Sequence, residues 1–185
     1  MINYYKKSDK NYYASEDEQY IIANNESISI CDSIIFGCGN RIYGYGNTIY
    51  GSNNIIDGSD NIISGDNNKI FGCDNQISGH KNEMHGDNCL VNGNSNKVHG
   101  TNNTVNGSNI INGTENIING LINIIIGNYN RINGNKNFSS GMYNSINGDY
   151  CISQGKHVSI NGNNSKINNI TVKSSVKQVT KNSSN

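Results

Sequence analysis

Four histidines, five cysteines and a scatter of acids are the side chains of this chain that carry usable chemistry, and their spacing decides how much of it. His85 and His99 lie fourteen residues apart, and Glu83 and Lys97 stand two residues before them. Two neighbouring imidazoles are a start on a transition-metal site, but the spacing supplies no third ligand, so the pair reads as surface residues and no metal is assigned. His80 and His157 fall in turns, and no partner is assigned to them. Cys31, Cys38, Cys73, Cys89 and Cys151 include no pair fourteen apart. Cys31 and Cys38, seven apart, would sit at opposite corners of one coil, beyond the roughly 7 Å that a disulfide spans between Cα atoms. The cysteines are therefore expected as reduced structural thiols, as suits assembly in a reducing compartment. Asp60, Asp66, Asp74 and Asp87 lack the nonapeptide of calcium-binding repeats. No serine, histidine and acid converge and no phosphate-cradling loop precedes a helix, so no catalytic residue, cofactor or enzyme activity is expected.

The importance of fourteen comes from the glycines. Nineteen of the 21 fall on a seven-residue ruler: Gly37, Gly44, Gly51, Gly58, Gly65, Gly72, Gly79, Gly86, Gly93, Gly100 and Gly107, then, one residue short, Gly113, Gly120, Gly127, Gly134, Gly141, Gly148, Gly155 and Gly162. Counted from its glycine, each repeat has asparagine at the fourth place, as in Asn47, Asn54 and Asn61, and an aliphatic residue at the sixth, as in Ile49, Ile56 and Ile63. Residues two apart share one face of a strand, and a β-branched sixth place suits a strand. A coiled coil is the rival for a period of seven, but glycine in every heptad costs about 1 kcal/mol each relative to alanine. Each repeat is thus a short inward-facing strand and a tight turn, with pairs such as Asn92-Gly93 and Asn133-Gly134 expected at the corners.

One such strand cannot bury its apolar face alone, so repeats must stack. The expectation is an all-β parallel β-solenoid, a flattened β-roll with two strand-turn repeats per 14-residue coil, filled by aliphatic ladders and by asparagine amides hydrogen-bonded to one another. At about 4.8 Å per coil some ten coils make a rod roughly 50 Å long. Lys69, Glu83 and Lys97, with Arg41 in the same parity, predict one charged outer face; Thr48, Ile62, Gln76, Leu90 and Thr104 predict a neutral one. The six-residue interval from Gly107 to Gly113 reads as a local kink or bulge.

The pattern Gly-x-x-Asn-x-Ile-x, over about Ala23 to Val172, resembles the heptapeptide repeat of YadA-like adhesin heads. The family usually has serine or alanine at the fourth place and alanine or valine at the sixth, so the roll is filled differently here. The resemblance implies a left-handed winding and a homotrimer that binds surfaces. No secretion leader, coiled-coil stalk or anchor is visible.

Fourteen basic residues balance 14 acidic ones, asparagine makes up about a fifth of the chain, and proline and tryptophan are absent. Balanced charge offers no basic patch for nucleic acid, and the longest apolar run, Ile124-Ile125-Ile126, is too short to enter a membrane. Three regions are expected: residues 1–22, a polar tyrosine-rich cap or leader, with Ser15 and Glu18 spaced as the capping box of a short helix; residues 23–172, the roll; and residues 173–185, a flexible polar tail. Ile124, Ile126, Phe138 and Ile152 fall on outward places of alternate repeats and form the candidate oligomer interface. The resulting reading is a non-enzymatic, self-associating structural or adhesive rod at a virion or cell surface, the abundance of residues with AT-rich codons suggesting a large DNA virus or protist. The alternative is a monomeric binder of glycans or a host surface through aromatics such as Tyr43 and Tyr50.

Overall fold

A corner that returns every seven residues leaves room for little more than a three-residue strand. In a computed structural model, which describes residues 4–6 and 12–15 (backbone) and 20–168, every strand from β4 (Ser27–Ser29) to β24 (Lys166–Asn168) is three residues long. Among the described residues 24 strands form two sheets. One holds thirteen, in the order β1 (Tyr4–Lys6), β2 (Tyr12–Ser15), β3 (Tyr20–Ala23) and then every odd strand to β23 (Ser159–Asn161); the other holds the eleven even strands from β4 to β24. From β3 on, successive strands alternate between sheets, so each coil takes fourteen residues. Among β3 and the strands after it, pairing is parallel and in register, as in Ile35 beside Ile49 and Ile49 beside Ile63. This is the two-sheet β-solenoid expected from the repeat, with about eleven coils. No helix long and apolar enough to cross a membrane occurs among the described residues.

The sixth-place side chains meet between the sheets. Ile35, Ile49, Ile63, Ile77, Val91, Val105, Ile118 and Ile132 from one sheet face Ile42, Ile56, Ile70, Met84, Val98, Ile111 and Ile125 from the other, and all are buried. Regular ladders of β-branched residues need no special rotamers to fill a two-layer core this thin.

The corners differ in detail from the sequence expectation. Asn92 and Asn133 close strands β13 (Leu90–Asn92) and β19 (Arg131–Asn133) rather than making the turn. The left-handed backbone falls two places after the glycine, at Asn53, Asp60, Asn67, Asp74 and, less predictably, Lys81, Ile122 and Tyr129. Gly39 and Gly46, the two glycines off the ruler, occupy this same place with φ of 72° and 67°. The ruler glycine answers a different need, closeness of stacking: a Cβ at Gly51 would collide with the carbonyl oxygen of Gly37 one coil earlier.

The buried asparagines also bond differently from expectation. The amide oxygen of Asn68 accepts from the backbone N–H of Asn54 at 2.8 Å, and its Nδ2 donates to the carbonyl of Gly51 at 2.9 Å. This arrangement repeats from coil to coil, so the inward amides satisfy backbone groups at the corners, where strand pairing has just ended. Amide-to-amide bonding occurs inside between Asn123 and Asn137, at 3.1 Å, and is otherwise a property of an outer column, in which Asn106 donates to Asn92 at 2.7 Å, Asn119 to Asn106 at 3.0 Å and Asn133 to Asn119 at 2.9 Å.

No kink accompanies the six-residue repeat. Lys97 pairs with Ile110 and Thr104 with Ile117, thirteen residues apart, and both sheets continue in register. The residue lost is the left-handed one of the corner, and Asn109 keeps the buried place by accepting from the Asn96 N–H at 2.9 Å. At the N-terminal end, β1 (Tyr4–Lys6) pairs antiparallel with β2 (Tyr12–Ser15), and β2 with β3 (Tyr20–Ala23), which also opens the parallel stack. Ser15 thus ends a strand instead of capping a helix, because an antiparallel hairpin gives the first strand of the sheet a partner for its open edge. Glu18 and the tail 173–185 lie outside the described residues.

Candidate functional site

Fixed register turns each outward place into a column with one side chain per coil. On the even-numbered sheet, Lys69, Glu83 and Lys97 make one column and Phe71, His85 and His99 the next. The rings stack: Phe71 on His85 at 5.2 Å between centroids and His85 on His99 at 4.7 Å. Glu83 and His85 both point outward from β12 (Glu83–His85), and Glu83 Oε1 lies 2.9 Å from His85 Nε2. The third group that spacing alone did not supply is therefore Glu83: single ligand atoms of Glu83, His85 and His99 all lie within 4.8 Å of one another. The clue in the sequence was the two-residue separation of Glu83 and His85, which places both on one strand face.

Charge and burial tune these groups. The hydrogen bond from His85 holds the Glu83 carboxyl below its ordinary range, with Lys69, His85 and Lys97 adding in the same direction against a smaller effect of burial. Lys69 Nζ stands 3.8 Å from Glu83 and 5.3 Å from the Phe71 ring centre. Partial burial, and then the neighbouring His85, lower the pKa of His99 and favour its neutral, ligand-competent form.

Beyond the six-residue repeat the same face changes character. Ile110, Ile124, Phe138 and Ile152 follow one another in register, with Ile126 beside them. From Ile110 to Gln154 the outward places of this sheet carry no charge. Ile124, Ile126, Phe138 and Ile152, the residues expected from sequence to share a face, are thus on one face. Behind them, β20 (Phe138–Ser140) and β22 (Ile152–Gln154) turn serine inward: Ser139 and Ser153 are fully buried where other coils have isoleucine, valine or, at Met84, methionine. Ser139 Oγ accepts from Asn144 Nδ2 at 3.0 Å, while Ser153 Oγ has no hydrogen-bond partner. In these two strands the apolar side chain is outside and the polar one inside. At the adjoining corner Leu121 and Ile122 are also exposed, and Ile122 holds φ 59°.

The other chemistry-bearing residues of the sequence are distributed. Tyr43 lies on the even sheet and Tyr50 on the odd one, stacked on Phe36 at 5.1 Å, so the two do not form one aromatic platform. Asp66 and Asp87 are turn residues whose carboxylates accept backbone N–H groups of His80 and Thr101 one coil on, both at 2.6 Å. Cys89 and Cys151 occupy the asparagine place and are buried.

A family model described as the grass antifreeze beta roll matches residues 2–100, more than half of the chain, and the chain belongs to that family. No curated protein and no solved structure matches it. The match supports a β-roll repeat protein, and not specifically the adhesin heads that the heptapeptide resembles.

Proposed function

We propose, taking membership of the antifreeze β-roll family as the premise, that this protein is a non-enzymatic structural rod that self-associates through the apolar half of one sheet face. The observation that carries the reading is the inverted polarity of β20 and β22. A pair of strands that buries Ser139 and Ser153 while turning outward a half-buried Phe138 and an exposed Ile152 is badly placed in water and well placed between two sheets.

A second copy is the occupant that fits. Its face repeats every coil at the same spacing, so Ile110, Ile124, Phe138 and Ile152 of one rod can lie along the same column of another with no charge to desolvate. The strained corner at Ile122 adds apolar surface beside it. With one apolar face per rod, a two-fold pair is the simplest closed arrangement; the adhesin resemblance implies a trimer. Either assembly leaves the opposite, polar faces outward for multivalent contact at a virion or cell surface. Light scattering on the wild type and on Phe138→Asp tests the reading: an oligomer that the variant reduces to monomers supports it, and a monomeric wild type removes it.

The word antifreeze in the family description supplies a second reading, contact with ice. Its specific support is the outer column of the odd sheet, where Asn92, Asn106, Asn119, Asn133, Asn147 and Asn161 present one amide per coil. On this reading the chain separates the freezing and melting temperatures of a seeded solution, and Asn119→Lys abolishes the separation. Equal temperatures for the wild type would exclude it.

A further inference from the structure

We infer that Glu83, His85 and His99 form a binding site for a divalent transition-metal ion of the zinc class, with an open position for water. The site goes beyond the self-association reading and does not rest on it. Glu83 and His85 project from the same face of one three-residue strand, and parallel register sets His99 directly beside His85. Their ligand atoms already lie within 4.8 Å of one another, and two imidazoles with one carboxylate are a ligand set that zinc accepts in sites that retain an open position. Phe71 stacks on the far side of His85 and limits its ring to positions near Glu83.

Two features oppose the ion and set what must move. Lys69 and Lys97 flank Glu83 in its column, so metal entry displaces the Lys69 ammonium from the carboxylate. The imidazoles, parallel to within 7°, must tilt toward each other to bring one nitrogen each to about 2.0–2.1 Å from a common ion. Side chains on an outer sheet face can make that adjustment without disturbing the core.

The test is calorimetric titration of the full chain with Zn²⁺, with ring-nitrogen NMR of the four histidines alongside. One ion per chain is expected, together with shifts of the His85 and His99 resonances but not of His80 and His157. His99→Asn and Glu83→Gln should each weaken binding by about tenfold or more, the scale on which even supporting groups affect metal affinity. Unmoved His85 and His99 resonances, whether because zinc goes to cysteine thiols or because none binds, would overturn the proposal. Unchanged affinity in folded His99→Asn would do the same. The NMR reading uses the wild-type chain and stands even if a variant fails to fold.

Discussion

Cys89 is the natural control for what the buried asparagines do. It stands in their ladder and, like them, donates its backbone N–H to the next amide, Asn103, at 2.8 Å. Its thiol lies 3.6 Å from the Gly72 carbonyl, so a soft sulfur replaces an amide that would both accept from the Asn75 N–H and donate to Gly72. Cys89→Asn is expected to stabilise the chain by about 1 kcal/mol, the net worth of a restored hydrogen bond, seen as a higher urea midpoint at unchanged slope. A lower midpoint would mean that the ladder is about size and not about backbone satisfaction. Burial pushes the same thiol up to about 11 from an ordinary value of 9.0. The unfolded chain then releases this proton first, so the contribution is complete below pH 9 and is lost as pH rises from 9 towards 11. Labelling of the folded chain at pH 8 should modify exposed Cys38 and spare Cys89.

Apart from the shortened corner after Gly107, the glycine corners join two requirements: a glycine that lets coils stack and a left-handed residue two places on. Gly51→Ala sets a Cβ against the Gly37 carbonyl at φ 155° and should destabilise the roll by more than about 1 kcal/mol, with a matching fall in melting temperature. Ile122 is the opposite case, a β-branched residue at φ 59° that costs about 1–2 kcal/mol where asparagine costs little. In a Phe138→Asp background, which removes the proposed interface, Ile122→Asn should raise stability by about 1 kcal/mol; a loss would mean that the isoleucine makes intramolecular contacts worth more than its strain. These corners also mark where the sequence stopped being readable. The seven-residue period, the inward Asn and Ile places and the change of face at each turn follow from spacing and side-chain type. The left-handed place does not, because Lys81, Ile122 and Tyr129 occupy it alongside Asn53 and Asp60, so it has no type signature. The partners of the buried amides were equally hidden, since they depend on which backbone groups the end of a strand leaves unbonded. Glu83 was visible as a neighbour of His85, but its role as a third ligand needed the distance.

As a whole molecule the rod has two unlike faces, and one of them changes midway from charged and ring-bearing to apolar. The six-residue repeat coincides with that change: Lys97 is followed in its column by Ile110, with the sheet unbroken between them. A corner residue was lost without loss of register, so the coils beyond it share the faces of those before and differ only in what they present. The account's central claim is that the apolar half is covered by a second copy, which would explain why β20 and β22 turn Phe138 and Ile152 outward while burying Ser139 and Ser153. Its most direct test is the mass of the chain in solution by light scattering, measured beside Phe138→Asp. The account predicts an oligomeric wild type and a folded, monomeric variant; a wild type that stays monomeric as concentration rises, or a variant of unchanged oligomeric mass, would contradict it.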